Sequence, residues 1–300
     1  MSMDITQRDE DEQTARWNGA AGQAWVDSRA VLDELFKPFE KLLVDAVVTE
    51  HAQHVLDVGC GTGATTLAVA RRLGTQGSGA QGLGAQGPDT QGRSVGVDLS
   101  EPMVTAARVR AEQEGSRASF VLADAQDHAF EPATFDMVIS RFGVMFFKDS
   151  VKAFANLRRA AREDAALRFI AWRGPAENPF MTTAERAAAP FMPEMPARRP
   201  DEPGQFAFAD ADRVRRVLEE SGWAGIDIRP VDVTCALPER ELVRYFSRLG
   251  PLGLVLREAD ERTRTHIIET VRAAFDPYTR GEEVRFTAAC WTVGARASAM

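Results

Sequence analysis

The sequence predicts an α/β fold, a mostly parallel sheet covered by helices on both faces. Three observations carry the prediction. Short apolar runs of strand length alternate with longer runs of helical spacing, and buried parallel strands need helical crossovers. A glycine-rich turn, "DVGCGTGA" at residues 57–64, joins the first strand to the next helix. The second and third strands end on aspartates, Asp98 and Asp124, at the edge where open α/β sheets bind ligands.

The elements follow in order. Residues 1–14 are acidic and polar and read as a disordered tail. Residues 15–50 read as helical, with Leu32, Leu35, Phe36, Phe39, Leu42, Leu43, Ala46 and Val47 on one apolar face. The pattern then predicts a strand over 54–58 and a helix over 64–73 that stops at Gly74. A strand over 94–97 precedes a helix over 101–114, with Ser100 as its N-cap and Pro102 in its first turn. Strands are predicted over 119–122 and 135–140, a helix over 150–162 and a strand over 167–172. Seven prolines between Pro175 and Pro203 predict an irregular apolar insertion. A helix over 211–220 ends at Gly222, and runs at 226–234 and 283–293 read as an antiparallel pair around a helical stretch, 239–275.

This pattern makes residues 15–300 a single domain. Helices fill 15–50, a ligand-binding core fills 51–174, and insertions occupy 175–208 and 238–282. Within the core, residues 75–92 repeat Gln-Gly at a five-residue period. The segment has no apolar face to bury and reads as a mobile loop, whose length costs little in closure entropy.

Composition excludes several classes. A net charge of −8 and a pI of about 5.2 argue against a phosphate-tracking nucleic-acid surface. No apolar run reaches membrane-spanning length. The N-terminus lacks a signal peptide's basic start and apolar stretch. Cys60, Cys235 and Cys290 are scattered, which suggests neither a disulfide framework nor a zinc site, and no His/Asp/Glu cluster points to another metal. The expectation is a reduced, cytoplasmic protein.

The glycine turn fits two templates. Gly59, Gly61 and Ala64 match the dinucleotide pattern G-x-G-x-x-G/A; Gly59, Gly61 and Gly63 match G-x-G-x-G. The surroundings weigh between them. Asp57, two places before Gly59, would repel a pyrophosphate by several kcal/mol at low dielectric. It would attract a ligand carrying an ammonium and a sulfonium. Asp98 stands where an acid takes a ribose diol, 35 residues past Gly63 rather than the usual ~20. The excess is close to the length of the Gln-Gly insert. Asp124 can accept from an adenine amino group, and the Ala125 N–H can reach a ring nitrogen.

With "VLDVGCGTG", "GVDLSEPMV", "LADAQD" and "FDMVISRFGVMFF" in this order, the chain resembles class I S-adenosylmethionine (SAM) dependent methyltransferases of the small-molecule type, similar to the ubiquinone/menaquinone methyltransferases. The resemblance implies a Rossmann-like seven-stranded sheet of order 3-2-1-4-5-7-6, with strand seven antiparallel, and SAM as cofactor. It places Asp57, Gly59, Gly61 and Gly63 against the methionine moiety and Asp98 on the ribose. Leu99 and Met103 would flank the adenine, and Asp124 and Ala125 would read its edge. Ser140 and Arg141 would line the reactive end, with Trp17 closing over the cofactor. Residues 163–165, Glu-Asp-Ala, depart from the family's Pro-Gly-Gly turn, far from the cofactor.

The implied activity is methyl transfer to a small, apolar or aromatic acceptor. The alternatives are a nicotinamide-dependent oxidoreductase, which Asp57 disfavours, and a SAM-binding protein that acts through a partner without catalysis. No general base stands out. His128, Arg141 and His266 are weak catalytic candidates, and His51 and His54 sit at the wrong end of the first strand. Phe146, Phe147, Phe180, Phe191, Met192, Met195, Phe206 and Phe208 could roof an apolar acceptor pocket or form a satellite core. "SRFG" stands where amino-methylating DNA enzymes carry their D/N-P-P-Y/F motif.

Overall fold

A computed structural model of the protein describes residues 13–77, 92–192, 202–250 and 252–298. Most of the expected tail, most of the Gln-Gly loop, and Met195 lie outside the described residues. Residues 13–18 are helical and lead into α1 (Ala20–Asp27) and α2 (Arg29–Thr49). The expected face of α2 is buried, except that Ala46 is half-buried and Leu42 is 38% exposed. At about 100° per residue, Leu42 falls at the margin of the stripe.

Strand β1 (His54–Val58) passes through the glycine turn into α3 (Ala64–Gly77). α3 runs past Gly74, where the sequence predicted a stop. A glycine ends a helix by adopting positive φ, and Gly74 does not. Then come β2 (Arg93–Asp98), α4 (Glu101–Gln113), β3 (Ser119–Leu122) and β4 (Phe135–Arg141). α5 (Ser150–Ala160) ends earlier than expected, because Ala161 already turns extended to pair with Phe135 and begin β5 (Ala161–Trp172). The register slips after that pair, and Asp164 takes a φ of 60°. The departure from Pro-Gly-Gly is thus absorbed as a bulge.

The proline-rich insertion is more regular than its composition suggested. It contains α6 (Pro179–Ala188), with Pro179 in the first turn, where its missing N–H is not needed. α7 (Ala211–Glu220), β6 (Ala224–Pro238), α8 (Leu242–Arg248), α9 (Leu252–Glu258), α10 (Glu261–Ala274), β7 (Thr279–Arg280) and β8 (Glu283–Arg296) complete the order.

The sheet order is β3-β2-β1-β4-β5-β8-β6, with the short β7 pairing on β8. Without β7, this is the order implied by the resemblance. Strands β1 to β5 are parallel, and β8 runs antiparallel to both β5 and β6. The order reverses at β1 and β4. Right-handed crossovers on either side of that reversal put α3 and α4 on one face and α5 on the other. The switch point is therefore the crevice between the carboxyl ends of β1 and β4.

Close backbone contact closes the bottom of this crevice. A Cβ on Gly143, just after β4, would lie 2.5 Å from the Val58 carbonyl and 2.7 Å from the Gly59 Cα. Beside it, Phe142 takes a φ of 67° and stacks on Trp172 at 4.6 Å, with Phe36 and Phe39 packed edge-on.

The insertion's apolar residues divide into two groups. Phe180 stacks on Phe286 at 3.8 Å amid Tyr245, Phe275 and Tyr278, and Phe208 is buried against Phe154 and Phe169. These two belong to the core. Phe146, Phe147, Phe191, Met192 and Phe206 are half-buried. The three cysteines are buried and free.

Two glycine substitutions should move stability in opposite directions. Gly143→Ala forces backbone apart and should cost roughly 1–3 kcal/mol. Gly74→Ala meets nothing within 4 Å and should stabilise by about 0.4–1 kcal/mol. Denaturant midpoints measured at constant slope check both; a neutral Gly143→Ala would contradict the close approach.

Candidate functional site

Three left-handed glycines shape the loop at the end of β1. Gly59, Gly61 and Gly63 have φ of 68°, 54° and 85°. The Gly59 and Cys60 N–H groups both donate to the Val97 carbonyl, at 2.9 and 3.1 Å, which folds the loop across the top of β2. Gly63 cannot carry a side chain, because its Cβ would stand 2.8 Å from the Phe120 ring. All three positions of the G-x-G-x-G reading are therefore used.

Asp57 is buried to 1% exposure and sits just before the loop. The Thr66 hydroxyl donates to its Oδ2 at 2.6 Å. Burial pushes the Asp57 carboxyl up to about 7; the Thr66 hydrogen bond and the Arg141 charge oppose this, and Asp98 adds to it. Asp98 accepts from the Gly61 N–H at 2.8 Å through Oδ2 and from the Ser100 N–H at 2.9 Å through Oδ1. Burial raises its carboxyl too, against those backbone donors. A carboxylate has about four acceptor sites, so Asp98 organises the loop and keeps lone pairs for a ligand.

Ser100 occupies the N-cap position of α4, but its hydroxyl donates to the Trp17 carbonyl at 2.7 Å instead of capping. Asn18 completes the clip. Its Nδ2 donates to the Leu99 carbonyl at 3.1 Å, and its Oδ1 accepts from the Glu101 N–H at 2.7 Å. The N-terminal arm is thereby fastened to the β2–α4 turn. Trp17 is half-buried and packs edge-on against Phe146 at 5.2 Å, spanning the crevice from that turn to the end of β4. Met103 is buried beneath the loop, its Sδ 3.7 Å from where a Gly61 Cβ would be.

The remaining expected residues differ in what they do. Asp124 is exposed and accepts from the Gln126 N–H at 2.8 Å. Ala125 is buried, and its carbonyl accepts from Asn156 at 2.9 Å. The Ser140 hydroxyl is committed to backbone: it donates to the Val58 carbonyl at 2.7 Å and accepts from the Gly143 N–H at 3.1 Å. It braces the glycine contact rather than presenting a hydroxyl to the crevice. His128 packs on Phe130, and the exposed His266 packs on Phe191 beside the N-terminal half of α10. Among the described residues, no contact brings either imidazole to the loop. Among the described residues no cluster of His, Cys, Asp and Glu could hold a metal, and no helix is long and apolar enough to cross a membrane.

Sequence reasoning missed Asn18, Thr66 and Gly143. Asn18 stands next to Trp17, but nothing in its spacing announces a partner 81 residues away. Gly143 carried a signal, as a glycine directly after the strand at the switch point.

The residues present fit a cationic amino-acid nucleoside: a buried acid beside a glycine cradle, a second acid at the ribose position, and an aromatic cover. Residues 55–164 match the family model of a methyltransferase domain. With the sheet order and the loop, this marks residues 55–164 as a methyltransferase domain, similar to the class I SAM-dependent enzymes. Relatives include the nocamycin O-methyltransferase of Saccharothrix syringae, 32% identical, matched over 49% of this chain and 47% of that one. The aklanonic acid methyltransferase DauC of Streptomyces sp. (strain C5) is 31% identical over 45% and 56% of the two chains. The chain thus spans about half the length of these curated relatives. In fold it is similar to the YcgJ protein from Bacillus subtilis, with a TM-score of 0.54 at 16% identity, covering 87% of this chain and 98% of that one.

Asp57 makes stability pH-dependent. Its folded value, about 7, lies above the unfolded carboxyl value of 3.8, so between them the folded state holds a proton that the unfolded state has lost. This contribution favours folding at low pH and is lost as pH rises toward 7. Asp57→Asn removes the loss. The variant should be progressively more stable than wild type from pH 5 to 7.5, by on the order of 4 kcal/mol at most, while binding SAM more weakly. Chemical denaturation at several pH values checks the trend; a constant difference would show that Asp57 ionises normally.

Proposed function

We propose that the protein transfers a methyl group from SAM to a small, apolar or aromatic acceptor, and that alignment supplies most of the rate. The observation that carries this reading is Asp57, a buried carboxylate set against a glycine loop. A pyrophosphate cofactor would be repelled there, whereas a ligand with ammonium and sulfonium charges is attracted.

When bound, the cofactor supplies an electrophilic methyl group for in-line displacement. This chain's residues do the rest. Asp98 receives the ribose hydroxyls, and the Gly59–Gly63 backbone lets the ligand approach closely. Leu99 and Met103 flank the adenine, and Asp124 and Ala125 meet its edge. Trp17 and Phe146 exclude water from the reacting end, and well-oriented reactants gain up to roughly 7–11 kcal/mol. The half-buried Phe146, Phe147, Phe191, Met192 and Phe206 support an apolar acceptor. His128 and His266 have no part in this reading.

Calorimetry should show SAM or S-adenosylhomocysteine binding and no tight NAD binding; the reverse would sink the proposal. Asp98→Ala should weaken SAM binding roughly ten- to a hundredfold, the worth of a charge-assisted hydrogen bond. Methyl transfer from labelled SAM to a panel of small aromatic and apolar acceptors separates an enzyme from a non-catalytic SAM-binding protein. Cofactor binding with no turnover on any acceptor would favour the second.

A further inference from the structure

Apolar contacts are non-directional, so a pocket of apolar rings orients its ligand through a few placed polar groups. Arg141 turns toward α2, where Nη1 donates to the Phe36 carbonyl at 3.5 Å. A different polar group stands where the two insertions meet, the phenol of Tyr245 on α8. Its O–H donates to the Met181 Sδ of α6 at 3.6 Å, and among the described residues it has no nitrogen or oxygen partner. A thioether is a weak acceptor, and a tyrosine hydroxyl among apolar side chains ordinarily finds a stronger one. The Phe180 ring lies 5.9 Å from the Tyr245 ring, with Phe275 and Tyr278 on the other sides of Phe180. Burial pushes the phenol above its ordinary value, and Cys235 adds to this, so the group is a neutral donor. Tyr245 is half-buried, whereas Phe180, Phe275 and Phe286 are sealed in the core. A ligand can therefore reach it.

The sheet and the arm both connect this hydroxyl to the crevice. Phe286 of β8 pairs with Cys235 of β6, and Cys290 of β8 pairs with Trp172 of β5. Phe286 and Cys290 are four residues apart, so they share one face of the sheet, ~13 Å apart along the strand. Phe180 stacks on Phe286, and Trp172 stacks on Phe142 beside the Gly143 junction. The ring cluster at Tyr245 thus covers the same face that carries the floor of the crevice. On α8 itself, Arg244 and Arg248 reach Asp27 at the end of the arm, at 2.6 and 3.1 Å, while Leu242 and Phe246 are buried. At about 100° per residue, Tyr245 falls between these two sides of the helix. It stands at the angle between the arm and the core of the insertion.

We infer that the Tyr245 hydroxyl is the donor that orients the acceptor, and that the acceptor carries a carbonyl oxygen on an apolar ring system, turned toward α8 while the atom to be methylated faces the crevice. A carbonyl oxygen accepts a hydrogen bond better than a thioether, so a bound ligand draws the O–H from Met181 by rotation of the hydroxyl alone. A hydroxyl or amine in the same place would bring a donor hydrogen of its own into apolar surroundings, with only Met181 to receive it. A carbonyl brings none. The inference rests on the reading of the protein as a methyltransferase for small apolar acceptors, and it makes Tyr245 a specificity-determining residue.

The test uses two probes that differ only at the carbonyl. They are 5-hydroxy-1-tetralone and 5,6,7,8-tetrahydro-1-naphthol, which keeps the rings and the phenol and has a methylene in place of the ketone. S-adenosylhomocysteine is titrated calorimetrically into the full chain first, and each probe is then titrated into the saturated protein. Wild type should bind the ketone roughly three- to tenfold more tightly than its partner, the worth of one neutral hydrogen bond. Tyr245→Phe should bind the two probes within about twofold of each other, with S-adenosylhomocysteine affinity unchanged. Met181→Leu, which removes the competing thioether, should keep or increase the preference. The carbonyl stretch of ¹³C-labelled ketone should fall on binding to wild type and not on binding to Tyr245→Phe. Equal weakening of both probes in Tyr245→Phe would mark a structural residue and overturn the inference. A ketone preference retained in that variant would overturn it too, as would a wild type that binds both probes alike or neither. If Tyr245→Phe does not fold, the carbonyl stretch in wild type and Met181→Leu decides, and an unshifted stretch overturns the inference. Normal S-adenosylhomocysteine binding without a ketone preference sinks this inference alone. Absence of S-adenosylhomocysteine binding sinks the cofactor reading, and this inference with it.

Discussion

The backbone contact between Gly59 and Gly143 is the constraint on which the site depends. It lies where the strand order reverses, so it sets how far the ends of β1 and β4 stand apart. A methyl group at either position would collide with backbone, and backbone in a sheet cannot move aside as a side chain can. The Ser140 hydroxyl spans the same junction, from the Val58 carbonyl to the Gly143 N–H. On the far side, the left-handed Phe142 is held by Trp172, Phe36 and Phe39. A strained φ persists only where its surroundings over-determine it. Here three aromatic rings do so, and the core thereby fixes the geometry of the crevice.

Function takes from stability at this junction. Asp57 is buried with one side-chain hydrogen bond, and the charge of Asp98 adds to burial in disfavouring its ionisation. Nothing in the folding of the sheet requires a carboxylate there; Val55, Leu56 and Val58 around it are ordinary buried strand residues. Asp98 differs, because the Gly61 and Ser100 N–H groups give it a structural task as well.

Much of this was legible in the sequence, and for identifiable reasons. Strands, glycine loop and strand-end acids are encoded locally, as a period, a turn motif and a spacing; the strand order was implied by the family resemblance. The misreadings share a different cause. Gly74 and Pro179 were read by residue type, whereas the structure uses Gly74 as a plain helical residue and Pro179 as a helix starter. Phe180 and Phe286 are stacked across 106 positions of sequence, and no local pattern tells a pocket-lining ring from a core ring. The resemblance places Ser140 along the reactive end, and the structure adds that both of its hydroxyl hydrogen bonds go to backbone. Asn18 and Thr66 are single polar residues whose roles come from partners that the fold brings to them.

The cover over the crevice follows the same logic of distant partners. The N-terminal arm is held at two ends. At Trp17 and Asn18 it is bonded to the β2–α4 turn; at Asp27 it meets α8 of the late insertion, through Arg244 on its carbonyl and Arg248 on its carboxylate. Residues 17–27 therefore join the cofactor side of the crevice to the helical insertion. The fastenings are of unequal strength. The Arg248 pair is half-exposed, and such pairs contribute at most about 1 kcal/mol. The Asn18 and Ser100 bonds run to backbone at the rim of the site, each worth a net ~1 kcal/mol. An arm held by a few such bonds opens at a cost of a few kcal/mol, small beside the stability of the sheet below it. The glycine junction is thus held by backbone and core, and the arm across the crevice by a few rim bonds.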